Sequence, residues 1–257
     1  LAVVRGHVLA GNGLPAVRVP EPQTREDREL VRIRLDIGKK MTLVKTQIQM
    51  LVKRNAAVVP AESGNSWTPS WERWLVKLSK GEVPGLARGA QGALQSLIRQ
   101  KAMLVQETKR LDKAMDKLAG TPRYAAAVDA LTALKGVGVL TALVFLTEMG
   151  DLGRFKNRKQ VGAFIGLVPS SNESGETENR KGHITHQGSW RLRKILCQAT
   201  QVRVRWDRQE KQVCDRIIRK NPGHKKIAIV ASMRRLAVVL WHRGLAAQLQ
   251  QAYAVGA

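Results

Sequence analysis

Between Val161 and Arg193 the chain reads VGAFIGLVPSSNESGETENRKGHITHQGSWRLR. Ser170, Ser171 and Ser174 are followed there by Arg180, Lys181, His183, His186, Arg191 and Arg193. A serine hydroxyl framed by cations has the parts needed to attack a phosphodiester. The cations would stabilise the charge that builds up on the phosphate, and a base or metal would take the hydroxyl proton. A plain polar loop has the same composition, and spacing alone leaves both readings open. Glu148 and Asp151, in the stretch EMGD, are candidate metal ligands, with helix-end capping as the alternative for two carboxylates three apart. His183 and His186 also lie three apart but have no third ligand beside them, so they do not make a zinc site.

These residues must be positioned by the elements around them. Upstream lies LKGVG, residues 134–138, between two apolar helical patterns: one opening at Thr121-Pro122 with Ala125, Val128, Leu131 and Leu134 inward, the other VLTALVFLTEMGD. Two helices joined by Gly-Val-Gly resemble the helix-hairpin-helix motif. In it Gly136 and Gly138 would let the turn approach a phosphate and the next helix would offer free N–H groups, reading backbone and not base. A purely structural hairpin turn is the alternative. Downstream, Gly188-Ser189 reads as a turn and N-cap opening a helix at Trp190, which the pattern continues to Pro222-Gly223. A final helix spans Ile227 to Trp241, burying Ile229, Ala231, Leu236 and Leu240 and exposing Arg234 and Arg235.

Nearer the N-terminus, residues 1–10 read as a helix end and LPAVRVP as a short strand stopped by Pro20 and Pro22. A long helix begins at Thr24, with acids in its first turn, and runs over 25–56. Residues 59–74 read as a linker carrying Trp67, Trp71 and Trp74, which either stack on bases or, the preferred reading, pack against neighbouring helices. Over 86–119, Leu94, Leu97, Lys101, Leu104, Thr108, Leu111, Met115 and Leu118 repeat at alternating spacings of three and four. That seam suits an antiparallel pair with the 25–56 helix, a pair with another subunit, or the surface of a bundle.

Composition sets the class of partner. The 257 residues hold 44 Lys+Arg against 20 Asp+Glu, a formal charge of +24. Residues 152–257 alone hold 21 basic and 6 acidic residues. A polyanion, most simply nucleic acid, relieves the self-repulsion of such a surplus; a basic solvated face is the alternative. The 44% apolar content excludes wholesale disorder, and the absence of an 18-residue apolar run excludes a membrane helix. Cys197 and Cys214 are too few for a disulfide scaffold, so a reducing, intracellular setting is the default. The chain starts at Leu1 without a signal-peptide pattern, and so reads as processed or as a piece of something longer.

The order LKGVGVLTALVFLTEMGDLGRF, then KQVGAFIGLVPSSNESGETENRKGHITHQGSWRLRKIL, then KIAIVASMRRLAVVLW resembles the C-terminal transposase domain of the bridge-RNA-guided insertion-sequence recombinases, a group that includes the Piv-type DNA invertases. The resemblance spans essentially the whole chain and is most specific over 134–193. It implies a mainly α fold: residues 1–58 as the remnant of a RuvC-like α/β domain plus the first long helix, 59–120 as linker and coiled-coil helix, and 121–257 as the transposase domain with its helix-hairpin-helix. It also implies DNA cutting and rejoining through a covalent phosphoserine, a structured guide RNA, a dimer or tetramer, and a bacterial cytoplasmic, nucleoid-associated setting without membrane contact. The family serine falls on Ser174, in Ser174-Gly175, with Ser171 as the fallback; Ser170 is set aside because it abuts Pro169. Gly136, Gly138, Arg180, Lys181, Arg191 and Arg193 become the expected DNA- or RNA-binding residues. The family's four-carboxylate Mg2+ site departs from this pattern, because its last two carboxylates fall just upstream of Leu1-Ala2. No metal ligand carries over to this chain, and Glu26, Asp27 and Asp36 do not substitute. A non-catalytic, nucleic-acid-binding or assembly-poisoning relative is therefore the second reading.

Overall fold

The computed structural model describes residues 19–171 and 181–256. The N-terminal helix end and strand expected over 1–18 lie outside them. The described chain is mainly helical, with one short antiparallel strand pair.

Helix α1 (Pro22–Arg54) starts two residues before Thr24, because Pro22 supplies a preset φ at the first helical position and no N–H to orphan there. Its first turn carries no acid, contrary to the expected dipole pairing. The Trp-containing segment is more ordered than a linker. Thr68 accepts from the Trp71 N–H and Pro69 follows it, opening α2 (Pro69–Lys80), which Gly81 closes in the left-handed conformation. Trp71 and Trp74 are buried there against Val44, Ile48, Leu51 and Leu94, in agreement with the packing reading.

Helix α3 (Arg88–Ala119) runs antiparallel to α1: Leu94 meets Ile48 and Leu51 at one end, while Met115 and Ala119 join Val31 and Leu35 at the other. The heptad seam thus finds its partner within the chain. Lys101, the charged residue in that seam, pairs with Glu72 of α2 at 2.8 Å. Near the middle of the hairpin Arg34 holds Asp112 at 2.6 Å.

The other end of the hairpin joins a helical body. Thr121 does not cap the next helix. Its hydroxyl donates to the Leu118 carbonyl, and its own carbonyl starts a turn through Tyr124 before α4 (Ala125–Thr132). Helix α5 (Val139–Met149) is buried from Thr141 through Met149 and forms the centre of the body, as a helix apolar on all sides must. Helix α6 (Arg158–Ile165) is capped by Asn157 and closed by Gly166. Strands β1 (Pro169–Ser171) and β2 (Lys181–Ile184) follow, a hairpin where a loop was expected.

The basic helix predicted from Trp190 is two helices, α7 (Trp190–Trp206) and α8 (Arg208–Lys220). Asp207 separates them by accepting from the N–H groups of Gln209 and Glu210. Helix α9 (Lys225–Gly256) extends well beyond Trp241. It buries Ala228, Met233, Leu236, Ala237, Leu240 and Trp241, while Ile229 and Ala231 are only half-buried. The Trp241 indole N–H donates to the Leu152 carbonyl at 3.0 Å and ties α9 to the segment after α5. Among the described residues, no helix is long and apolar enough to cross a membrane.

Candidate nucleic-acid interface

The strand pair carries the serine segment. Pro169 lies opposite Ile184 and Ser171 opposite Lys181, with an irregularity between. Ser170 donates its hydroxyl to the His183 carbonyl at 3.0 Å. A side chain on Gly182 would collide with that hydroxyl oxygen, so the two strands close tightly. Ser174 and Arg180 lie outside the described residues. Ser171 and Lys181 are placed by their backbones opposite each other, at the end of the strand pair that leads into residues 172–180.

The neck of this hairpin is locked. Gly166 and Gly188 both have positive φ, 75° and 83°. A Cβ on Gly166 would overlap the Gln187 backbone, and one on Gly188 would overlap the Phe164 carbonyl, so the incoming and outgoing chains cross with their backbones in contact. Arg193 bolts the crossing from α7: one guanidinium nitrogen donates to the carbonyls of Ile165 (2.9 Å), Gln187 (3.0 Å) and Gly188 (3.2 Å). Burial lowers the pKa of this guanidinium from its ordinary value. Ser189 caps α7 by accepting from the Leu192 N–H, which fixes the helix that carries Arg193. Arg191 points to the other side of α7, against Asp36 of α1 at 3.6 Å and the Trp190 ring.

The Gly-Val-Gly turn joins α4 to α5 as expected. Gly136 has φ +84°, and a Cβ there would lie 2.7 Å from the Ala199 carbonyl of α7 and 3.1 Å from the Arg203 nitrogen. Its requirement for glycine therefore comes from backbone conformation and the close approach of α7. Gly138 is different: it is exposed, a Cβ there would meet nothing within 4 Å, and it stands at the N-cap of α5. Beyond the turn, α7, α8 and the start of α9 carry a strongly basic surface. Arg205, Arg208, Lys211, Arg216, Arg219, Lys220, Lys225 and Lys226 are all exposed, and among the described residues none of them forms an ion pair. Of the acids in this region, Asp207 and Glu210 hold Arg203, and Glu210 also holds Arg235, while Asp215 is exposed on α8.

A cleft of about 670 Å³ lies where the start of α1, Arg123 and Tyr124, the end of α5 and the start of α7 converge. Arg28, Arg32, Arg123, Arg154 and Arg191 line it. Arg28 donates twice to the Thr147 carbonyl, at the C-terminal end of α5, and burial lowers its pKa. Arg32 pairs with the buried Glu148 at 3.0 Å, and that hydrogen bond raises the Arg32 pKa. Tyr124 donates to buried Asp27 at 2.7 Å; burial, then that carboxylate, push its pKa up to about 12. The sequence gives little warning of this cleft, because its arginines are distributed from residue 28 to residue 191 and meet only through the fold.

The acidic candidates have other partners. Glu148 is bound to Arg32, and Asp151 accepts from the Gly153 N–H in a short 3-10 turn. Among the described residues no group of three or more His, Cys, Asp or Glu side chains could hold a metal ion. Trp206 went unremarked in the sequence, although it ends the basic helix; the structure leaves it 65% exposed beside Arg205.

Comparison with known proteins now bears on this arrangement. The chain is 30% identical over 195 residues to "Putative transposase y4qE" of Sinorhizobium fredii, an alignment covering 76% of this chain and 45% of that protein. It is 43% identical over 63 residues to "Transposase for insertion sequence element IS1111A" of Coxiella burnetii, covering 24% of this chain and 17% of that one. The chain thus spans less than half the length of these curated relatives. Residues 128–214 match the family model described as Transposase IS116/IS110/IS902 family. That match runs from α4 through the glycine turn, the serine hairpin and its Arg193 neck to Cys214 of α8, so this part of the chain is similar to the transposase domain of that family.

Proposed function

We propose that the chain is the DNA-engaging part of an insertion-sequence transposase that cuts and rejoins DNA through a phosphoserine. The family match over 128–214 carries this reading, because the matched residues include the serine hairpin and most of both basic helices. Ser174 is the nucleophile, with Ser171 as the fallback. Its oxygen forms a bond to phosphorus, the bond from phosphorus to the 3′ oxygen breaks, and that oxygen leaves as a 3′-hydroxyl after taking a proton. The phosphoester energy is then available for rejoining. Arg180 and Lys181 stand nearest in sequence to stabilise the phosphate. The exposed cations of α7 and α8 hold the DNA or RNA backbone, and Gly138 gives the α4–α5 turn room to meet a phosphate as a helix-hairpin-helix does.

A structured guide RNA, a dimer or tetramer and a cytoplasmic site of action belong to the same reading. Mg2+, the cofactor that the resemblance implies, belongs to this reading as well, and no step here is routed through it. A second reading is a nucleic-acid-binding relative without catalysis, which the exposed cations of α7 and α8 would serve equally well. The protein expressed from its native gene, incubated with element-end DNA, element RNA and Mg2+, separates the two. A denaturant-stable protein–DNA adduct that Ser174→Ala abolishes supports the recombinase. Salt-dependent binding with no adduct supports the binder.

A further inference from the structure

We infer that Trp206, with Val202 and Arg205, forms a stacking platform for an unpaired nucleotide beside the glycine turn; this rests on the nucleic-acid reading above. Trp206 is 65% exposed and Val202 45%, at the C-terminal end of a helix that buries Leu192, Ile195 and Leu196 and leaves Trp190, at its other end, 37% exposed. An indole left this open at the end of an ordered helix carries a cost in exposed apolar area that binding would remove.

The position of the platform follows from helix geometry. Gly136 rests on the backbone of Ala199 and Arg203 and on Val202, so the turn lies on the face of α7 that contains 199, 202 and 203. Trp206 is three and four residues beyond Arg203 and Val202, which places it on the same face one turn further along. The exposed Lys135 of the glycine turn and the exposed Trp206 therefore lie on one side of α7. The Arg205 guanidinium lies 5.3 Å from the Trp206 ring centroid, and Arg208 follows at the start of α8.

The charge decides the occupant. Arg205, Arg208 and Lys135 are exposed with no ion pair among the described residues, so the apolar surface has a cationic rim. A protein partner would need acids to match that rim. A nucleic-acid strand supplies phosphates for it and a base for the indole in the same unit. Stacking needs a base with a free face, which a continuous duplex does not present, so the preferred ligand is a single-stranded or unstacked segment. The shared chemistry is the unpaired nucleotide, from DNA or from RNA.

The test is titration of wild type, Trp206→Ala and Trp206→Phe with labelled single-stranded DNA, single-stranded RNA and blunt duplex DNA, with circular dichroism to verify folding. Trp206→Ala should weaken binding to at least one single-stranded probe by about 5- to 150-fold, the range for loss of one base–aromatic stack. Trp206→Phe should retain most of the affinity, duplex binding should change by less than about twofold, and the salt dependence should stay the same. Whichever of DNA or RNA shows the larger loss is the source of the nucleotide. An equal loss on duplex, or no loss on either single strand, overturns the platform. So does sedimentation in which Trp206→Ala only breaks a self-associated form. If wild type binds none of the probes, the nucleic-acid reading itself has failed.

Discussion

Replacing Arg193 by Met separates a residue that holds the serine hairpin from one that holds DNA. The substitution keeps an apolar stem of similar length and removes three hydrogen bonds from one charged nitrogen. The bond to Ile165 is partly buried, and leaving its carbonyl without a charged donor costs about 1.5–3 kcal/mol. The bonds to Gln187 and Gly188 are at the surface, where water replaces the donor at a cost of a few tenths of a kcal/mol each. The sum is about 2–3.5 kcal/mol, or about 4–14 °C in Tm for a chain of this size. Thermal and urea denaturation followed by circular dichroism read the stability, while duplex DNA titrations across salt read the electrostatics. The expected result is the stability loss with an unchanged salt slope. Stability within about 0.5 kcal/mol of wild type, together with a slope smaller by about one, would show a phosphate-binding cation and refute the neck argument. Lys211→Met, on an exposed lysine without an ion pair among the described residues, is the matching control: stability should hold and the slope should fall.

Two further outcomes follow from the same geometry. Gly136→Ala combines a left-handed φ with an approach to the Ala199 carbonyl, and should destabilise by about 2–4 kcal/mol in urea unfolding. Gly138→Ala, with φ −99° and open space, should change stability by less than about 1 kcal/mol. Tyr124, whose pKa is raised from 10 to about 12, holds its proton more tightly in the folded state. Its contribution is fully present below pH 10 and is lost as the pH rises toward 12, an effect of up to about 2.7 kcal/mol. The stability gap between wild type and Tyr124→Phe should therefore narrow across that window; a constant gap would contradict the buried hydrogen bond to Asp27.

Local signals in the sequence account for the parts of the fold that were legible. Gly188-Ser189 opens α7 because a turn residue and a cap suffice to start a helix, and both act over a few residues. The heptad over Leu94–Leu118 is read from spacing alone, although its partner is not: only the fold selects α1 over a second subunit. Two elements left signals that composition masked. Thr68-Pro69 with Glu72 marks the start of α2 inside a segment that otherwise reads as a linker, and Asp207 with Glu210 marks the start of α8 inside a continuous basic pattern. The cleft and the hairpin neck had no local signal. Arg28 reaches Thr147, Arg123 reaches Glu21, and Arg193 reaches Ile165 across long stretches of chain. Charge marked Arg193 as a nucleic-acid ligand, and the fold directs its guanidinium to backbone carbonyls, a use that composition does not distinguish. Ser174, the proposed nucleophile, is suggested by the family resemblance and not by spacing.

The most direct measurement is therefore peptide mapping of the protein–DNA adduct formed by the natively expressed protein on element-end DNA. The expected product is a nucleotide phosphate linked to Ser174, or to Ser171 if the fallback holds, with the adduct lost when that serine becomes Ala. Efficient DNA cleavage that persists with both serines replaced would contradict it.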